Sequence, residues 1–409
     1  MIYQYYTFPN GIRLVHKYCD SYVSHFGVII NTGSRDEKEN EQGIAHFIEH
    51  CLFKGTSKRK SYQVLSHMEN VGGEINAFTT KEETCIYTSF LNKYIERAME
   101  LLSDIIFNSN FPEKELEKEK DVVIDEINSY LDDPSDEIFD EFEKLIFPNH
   151  SIGRYILGEP MCIKKFNRTG IQKFINRCYN TNEIVICSVG KIEFEKLKEI
   201  ANKYFSGITP IKRKWLRNKF SNYKAFNKTI IKETHQTHCV IGNIAYHNKD
   251  NRKTSLILLN NILGGPGMNS RLSMKIRERY GFCYNIESNY TSFSDTGIFS
   301  IYMGTENENI EKTILLVYKE LETLRNTKLG ILQLKRAKQQ LIGQISISYE
   351  QNLNEMLSMG KSFLVYNKVD TLDKISLDIE KLTSEQLIET ANHIFDQKKL
   401  SILTYKSDK

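Results

Sequence analysis

The stretch Gly43 to Phe53, Gly-Ile-Ala-His-Phe-Ile-Glu-His-Cys-Leu-Phe, has the pattern of an amphipathic helix. Its apolar residues follow the spacing i, i+3, i+4, i+7 and i+8, which predicts a buried stripe made of Ile44, Phe47, Ile48, Cys51 and Leu52. His46, Glu49 and His50 fall about 100° to 200° away from that stripe, because an α-helix turns by about 100° per residue. We therefore expect a helix whose other side carries two imidazoles and a carboxylate.

Two histidines one helical turn apart can bind the same metal ion. His46 and His50 have this spacing, and Glu49 lies beside them, where a carboxylate can act on a bound water. The order His-x-x-Glu-His is the inverzincin signature. Asn40 is expected to cap the start of the helix and Gly55 to end it. The alternative to a metal site is a solvated helix face that carries three polar residues. A third ligand elsewhere in the chain would favour the metal site.

A zinc ion held by two histidines needs another protein ligand, and a carboxylate is the usual choice. A second helix is predicted between Asn110 and Asp132, with a buried stripe made of Leu116, Val123, Ile127 and Tyr130. Glu119 and Glu126 are seven residues apart and lie together at one edge of this stripe. Composition alone leaves the choice of ligand open, since the same helix also carries Glu113, Glu115 and Glu117.

These motifs resemble those of the pitrilysin/insulinase-like zinc metallopeptidases, and most closely those of subunits similar to mitochondrial processing peptidase and its bacterial relatives. The resemblance spans essentially the whole chain and is carried by His46 to Thr56, Gly72 to Thr79, Gly153 to Gly158, Tyr179 to Gly190, Leu263 to Leu272 and Ile276 to Tyr284. It implies an α+β fold with two structurally similar domains. Each domain is expected to have a mixed or antiparallel sheet with packed helices, and the two to form half of a clam-shell chamber.

The resemblance also implies the metal site. In the family the third ligand follows the second histidine by 76 residues, and 126 − 50 = 76, which selects Glu126. His46, His50 and Glu126 are then the ligands of one Zn²⁺ per chain. Glu49 is the implied catalytic base, and Glu119 is the implied acid that orients the ligands.

Substrate contacts are implied for two other parts of the chain. Asn76 and Ala77 are expected to bind the backbone of a peptide added beside the strand Gly73 to Phe78. Arg277 and Tyr284 match an arginine and a tyrosine that bind the substrate near the scissile bond and stabilise the developing oxyanion. In members of the family that consist of two such chains fused into one, this arginine and tyrosine belong to the half that does not hold the zinc. The resemblance therefore implies a homodimer, or a heterodimer with a related subunit, in which one chain completes the zinc site of the other.

Three regions are expected along the chain: a catalytic zinc-binding domain at 1–209, a linker at 210–228 and a degenerate repeat without metal at 229–409. In the repeat, Asn260 and Asn261 stand where Glu49 and His50 stand in the first half. His235 and His238 are not expected to form a second metal site, because their spacing in a strand puts them on opposite faces.

Composition excludes several other classes of protein. The chain has 409 residues, 40% hydrophobic content and a net charge of +3, which predicts two globular domains and gives no sign of nucleic-acid or membrane binding. The start of the chain lacks the pattern of a signal peptide, and the eight scattered cysteines are expected to be reduced thiols in the cytoplasm. The sequence predicts a zinc endopeptidase that hydrolyses peptides or unfolded segments. The alternative is a catalytically silent structural or peptide-binding subunit of the same fold.

Overall fold

The chain folds as an α+β protein with two β-sheets. The computed structural model describes residues Ile2 to Ser407. The strands are β1 (Gln4–Thr7), β2 (Arg13–Tyr18), β3 (Val23–Ile30), β4 (Glu74–Thr79), β5 (Thr84–Leu91), β6 (Ile184–Gly190), β7 (Asn227–Lys232), β8 (Thr237–Ala245), β9 (Cys283–Ser292), β10 (Gly297–Thr305) and β11 (Ser401–Ser407). The sheets and their packed helices confirm the fold class predicted from the sequence.

The α-helices are distributed between the strands and after them. They are α1 (Ile44–Cys51), α2 (Ser61–Glu69), α3 (Ile95–Phe107), α4 (Glu113–Leu131), α5 (Pro134–Ile146), α6 (Pro160–Ile163), α7 (Arg168–Cys178), α8 (Phe194–Phe205), α9 (Lys253–Gly264), α10 (Ile310–Asn326), α11 (Ile331–Tyr349), α12 (Asn352–Tyr366), α13 (Leu372–Glu380) and α14 (Ser384–Ile394). A π-helical segment, Ser273–Glu278, precedes β9. In the described part of the chain, no helix has the length and apolar character needed to cross a membrane.

The chain divides into two compact units. Unit 1 contains the residues up to Asn128 together with Arg154–Arg217 and Ile347–Thr371. Unit 2 contains Ser129–Gly153, Asn218–Ser346 and the residues from Leu372 onward. This division differs from the linear boundaries 1–209 and 229–409, because each half of the sequence gives one helical segment to the unit formed mainly by the other half. Another boundary between the units lies between Arg217 and Asn218.

In unit 1 the six strands have the order β1-β2-β6-β3-β5-β4. Strands β1 and β2 pair antiparallel as a hairpin, and β4 lies at the edge of the sheet, where it pairs with β5. One face of the sheet packs on a core that includes residues of α1, α2 and α3. The opposite face is covered by α12, through a cluster that includes Met356, Met359, Phe363 and Leu364. A helix from the C-terminal part of the chain thus completes unit 1.

In unit 2 the five strands have the order β7-β11-β8-β10-β9, with β9 at one edge. Helices α9, α10 and α14 contribute to the core on one face of this sheet. The other face is covered by α5, whose Ile138 and Phe142 pack with Val240 of β8 and Leu403 of β11. Helix α9 ends at Gly264, and the edge strand β9 begins at Cys283.

Candidate metal centre

Helix α1 carries the His-x-x-Glu-His motif and buries the predicted stripe. All five stripe residues are at most 2% exposed: Ile44, Phe47, Ile48, Cys51 and Leu52. Glu49 and His50 are partly exposed, as expected from their helical angle. His46 is also buried, so its imidazole is enclosed by protein and does not lie on a solvated face.

The start of α1 is capped by Glu37. The Glu37 carboxylate accepts hydrogen bonds of 2.9 Å from the backbone N–H groups of Gly43 and Ala45, which satisfies two amides of the first helical turn. Burial raises the pKa of Glu37 well above its usual value, while these two hydrogen bonds oppose the shift. The expectation that Asn40 caps the helix is wrong, since Asn40 lies in the separate 3-10 turn Glu39–Glu41.

Gly43 adopts the left-handed conformation immediately before α1, with φ of 91°. A Cβ atom at Gly43 would lie 2.6 Å from the carbonyl oxygen of Leu157 and 2.9 Å from Cα of Gly158. Both the backbone conformation and the close approach therefore require glycine here. This contact fixes the start of the histidine-bearing helix against the segment that ends at Gly158. The helix itself ends at Cys51, before Gly55.

His46, His50 and Glu126 come together although 76 residues separate the last two. One ligand atom from each residue lies within 4.8 Å of the others. The Nε2 atoms of the two histidines are 3.2 Å apart. Oε1 of Glu126 lies 3.7 Å from Nε2 of His46, and Oε2 lies 3.4 Å from Nε2 of His50. Among residues 2–407, this is the one group of three or more such side chains with metal-site spacing.

This donor set fits a zinc ion. Two nitrogen ligands with zinc bonds of about 2.05 Å are about 3.3 Å apart when the geometry is tetrahedral. The observed separation of 3.2 Å between the two Nε2 atoms matches that value. Burial, and then the neighbouring His50, lower the pKa of His46 to about 4, so this imidazole is kept in the neutral form that binds metal.

Glu119 contacts Nδ1 of His50, the ring nitrogen that does not face His46. Its Oε1 lies 2.9 Å from Nδ1 of His50, and its Oε2 lies 2.6 Å from the ammonium of Lys54. Burial tends to raise the pKa of Glu119, but the hydrogen bonds from His50 and Lys54 outweigh it and the pKa is lowered. For His50 burial tends to lower the pKa, and the hydrogen bond to Glu119 together with the nearby carboxylates raises it. The carboxylate of Glu119 is therefore ionised and fixes the orientation of the His50 ring.

Glu49 lies on the same helix as both histidines and is held by the neighbouring strand. The hydroxyl of Thr79, the last residue of β4, donates a hydrogen bond of 2.6 Å to Oε2 of Glu49. Burial raises the pKa of Glu49, and the bond from Thr79 opposes that shift. A carboxylate with a raised pKa beside a metal-ligand cluster is suited to accept and return a proton.

The predicted substrate-binding residues lie in two places. Asn76 and Ala77 are on the edge strand β4, with Asn76 exposed and Ala77 packed against the core of unit 1. Arg277 and Tyr284 belong to unit 2 and line a common cleft of 690 Å³. Tyr284 is 89% exposed, and the guanidinium of Arg277 donates a 3.0 Å hydrogen bond to Glu278. The structure therefore brings the ligand and base candidates together in unit 1, and the arginine and tyrosine together in unit 2.

Comparison with known proteins decides the family. Residues 15–159 match the family model described as insulinase (peptidase family M16). Over 393 residues the chain is 34% identical to the uncharacterized zinc protease YmxG of Bacillus subtilis, covering 96% of this chain and 95% of that protein. The chain belongs to the insulinase-like peptidase family M16. An uncharacterized zinc protease of Rickettsia felis is 31% identical to this M16 chain over 395 residues, covering 94% of the chain and 93% of that protein.

Solved structures share the M16 fold. A protease from Helicobacter pylori has a TM-score of 0.92 at 20% identity, covering 99% of both chains. A peptidase M16 inactive domain from Pseudomonas fluorescens has a TM-score of 0.91 at 20% identity, covering 100% of this chain and 99% of that one. In this M16 chain, residues 165–341 match the model described as peptidase M16 inactive domain. Asn260 and Asn261, which are expected from the sequence to stand where Glu49 and His50 stand in the first half, lie inside that range.

Three residues that contact the site were given no role by sequence reasoning. Lys54 and Thr79 lie inside the quoted family motifs, so their positions were known but their partners were not. Glu37 lies outside those motifs. Its carboxylate reaches amides six and eight residues ahead, beyond the three-residue spacing of a capping box. No local pattern would have indicated this contact.

Proposed function

We propose that this M16 protein is a zinc-dependent endopeptidase that hydrolyses peptides or unfolded protein segments. The observation that carries the proposal is the convergence of His46, His50 and Glu126 within 4.8 Å. These three side chains would hold one Zn²⁺ per chain. The names of the relatives in Bacillus subtilis and Rickettsia felis, both zinc proteases, support the same function.

Glu49 is the proposed general base and acid. Zinc bound in such a site supplies Lewis-acid chemistry, polarising a carbonyl group and activating water. The Glu49 carboxylate accepts the proton of the attacking water and then delivers it to the leaving amine. Because Thr79 binds Oε2 of Glu49, the other oxygen of the carboxylate is left to carry the proton.

Glu119 prepares His50 for metal binding. When Nδ1 of His50 carries the proton and donates a hydrogen bond to the ionised Glu119 carboxylate, the lone pair of Nε2 is directed toward His46 and Glu126. Hydrogen bonding of this kind fixes the ring and raises its basicity as a ligand. Glu119 is thus proposed as a positioning residue that acts through His50.

The substrate is proposed to bind as an added strand beside β4. The edge position of β4 leaves one side of its backbone without a neighbouring strand of the sheet. An extended peptide can use such an edge through main-chain hydrogen bonds. Side chains alternate along β4, so Ala77 and Thr79 point to the face that carries Glu49 and Asn76 points to the other. Asn76 and Ala77 are the proposed backbone contacts.

The assembly is proposed to be a homodimer, with a heterodimer of related subunits as the alternative. Arg277 and Tyr284 line one cleft in unit 2, and the phenol of Tyr284 is almost fully exposed. A guanidinium and a phenol are suitable donors to a developing oxyanion. The family resemblance supports their supply in trans, from one chain to the zinc ligands of another. The cytoplasm is the proposed location, and the eight free cysteines, all in the described part of the chain, support a reducing compartment.

The experiment that tests this function combines metal analysis with peptide cleavage. The protein is purified from zinc-supplied cells, its metal content is measured, and a quenched fluorescent peptide library is added with and without a chelator. We expect about one zinc per chain and cleavage that the chelator abolishes. Zinc-replete protein that cleaves no peptide would favour the catalytically silent, peptide-binding subunit. Protein that lacks zinc and is inert would overturn the metallopeptidase.

A further inference from the structure

A cleft with a volume of 830 Å³ lies in unit 1 beside the end of the histidine-bearing helix. It is formed by the loop after α1, the first residues of α2 and the first residues of α4, and it is within the size range of ligand sites. Its basic lining residues are Lys54, Lys58, Arg59, Lys60 and Lys114. Among the described lining residues, only Glu115 is acidic. We call this site the lysine cleft.

Some of these cations are already neutralised. Lys54 pairs with Glu119 at 2.6 Å. Arg59 pairs with Glu100 at 2.5 Å and with Asp104 at 2.6 Å. These two lining residues therefore contribute little free positive charge to the cleft.

The remaining lysines leave the lysine cleft with an excess of positive charge. Lys58 is 62% exposed, and its nearest acid, at 4.0 Å, is the Glu100 that already binds Arg59. Lys60 and Lys114 form no ion pair with any residue of the described chain. Glu115 does not cancel this charge, because its carboxylate binds Lys118 at 2.8 Å. The cleft is thus electrostatically suited to an anionic ligand.

One side of the lysine cleft is apolar. Tyr62 is 65% exposed and Leu65 is 42% exposed, and both line the cleft. They are three residues apart on α2, so they lie on the same side of that helix. An exposed ring and an exposed aliphatic side chain beside unpaired lysines match a ligand that carries both carboxylates and an apolar side chain. A peptide segment has this combination, whereas inorganic phosphate lacks the apolar part.

We propose that the lysine cleft binds an acidic segment of the peptide substrate, a segment that also carries an apolar side chain. The proposal rests on the proposed peptidase function and adds a preference for substrates with a Glu- or Asp-rich stretch. The cleft shares no lining residue with the edge strand β4, so the acidic segment and the strand-forming segment occupy separate places on unit 1. Binding at the cleft then retains the substrate through exposed charges, and its strength depends on ionic strength.

The test measures binding in a background that does not cut the peptide. All proteins carry Glu49→Gln, and two rhodamine-labelled peptides of equal length are titrated by fluorescence anisotropy. One contains four glutamates around a leucine, and in the other the glutamates are replaced by glutamines. We expect tighter binding of the acidic peptide, an advantage that shrinks as salt is raised. Adding Lys60→Ala and Lys114→Ala should weaken binding of the acidic peptide about fivefold, in line with two exposed ion pairs.

A control replaces two exposed lysines of the same unit that do not line the cleft, Lys173→Ala and Lys196→Ala, and should leave the affinity for the acidic peptide as it was. Reversal to Lys60→Glu and Lys114→Glu should transfer the preference to a lysine-rich peptide. Equal affinity for the two original peptides, or equal losses from cleft and control substitutions, would overturn the proposal. Because no step of the test needs hydrolysis, failure of the peptidase function itself would be seen separately, in the cleavage assay.

Discussion

The ammonium of Lys54 lies 2.6 Å from Oε2 of Glu119, and the other oxygen of that carboxylate lies 2.9 Å from Nδ1 of His50. Lys54 of the loop after α1, Glu119 of α4 and His50 of α1 thus form a continuous series of side chains that ends at a metal-ligand candidate. Lys54 follows His50 by four residues in sequence, but its ion pair is with Glu119. Its effect on the site is expected to pass through Glu119.

Replacing Lys54 by methionine should weaken zinc binding by about three- to tenfold. The change removes the charge that holds Glu119. Loss of a residue hydrogen-bonded directly to a metal ligand commonly lowers metal affinity by about 10- to 100-fold. Because Lys54 acts through Glu119, we expect a smaller effect. Zinc affinity is measured by competition with a chelating dye. Lys58→Met is the matched control, because Lys58 is close in sequence and its nearest acid is Glu100, at 4.0 Å, instead of Glu119. Equal zinc affinities for Lys54→Met and wild type would show that this ion pair has no part in positioning His50.

Replacing Thr79 by valine should lower kcat by about 10- to 100-fold and leave zinc affinity unchanged. Valine keeps the shape of threonine but removes the hydroxyl that holds Oε2 of Glu49, so the base loses its orientation. Thr79→Ser retains the hydroxyl and should recover most of the rate. The comparison uses kcat and KM for one quenched peptide, with the zinc content of each variant measured in parallel. A rise in KM alone would instead assign Thr79 to substrate binding on β4.

Replacing Glu37 by glutamine should reduce the free energy of unfolding by about 1 to 2 kcal/mol, the range found for lost helix caps. The amide of glutamine has one acceptor oxygen, whereas the Glu37 carboxylate accepts from both Gly43 and Ala45. Unfolding by urea gives the stability, and zinc titration shows whether the start of α1 also affects the ligands. Glu39→Gln, in the neighbouring 3-10 turn, is the control. If both variants are as stable as wild type, the buried carboxylate is not needed as a cap.

Local patterns predicted the buried stripe of α1, whereas the choice of Glu126 as a ligand came from the family resemblance and stays a prediction. That stripe depends on residues near each other in sequence, and the structure buries all of it. The sequence did not predict that α5 belongs to unit 2 and α12 to unit 1. This arrangement depends on contacts such as the 2.6 Å ion pair between Lys17 and Glu355, which no helical or strand periodicity encodes. The partners of Lys54 and Thr79 were missed for the same reason, since each contact joins two separate elements.

Mixing two inactive variants tests the proposed shared site. Glu49→Gln removes the base of one chain, and Tyr284→Phe removes the phenol that the other chain is proposed to supply. After subunit exchange, half of the sites in a mixed dimer would carry neither lesion, so part of the wild-type activity should return. Exchange is followed with differently tagged chains. Demonstrated exchange without recovery of activity would mean that each chain builds its site alone or that Tyr284 has another role.

The most direct test of the metallopeptidase mechanism is the hydrolysis rate of zinc-loaded Glu49→Gln protein. Glutamine preserves the size of the side chain and leaves His46, His50 and Glu126 in place, so the variant should bind about one zinc per chain. It cannot accept the proton of the attacking water, and we predict a rate on one quenched peptide at least about 10³-fold below that of wild type. A zinc-loaded variant with a rate near that of wild type would contradict the assignment of Glu49 as the base.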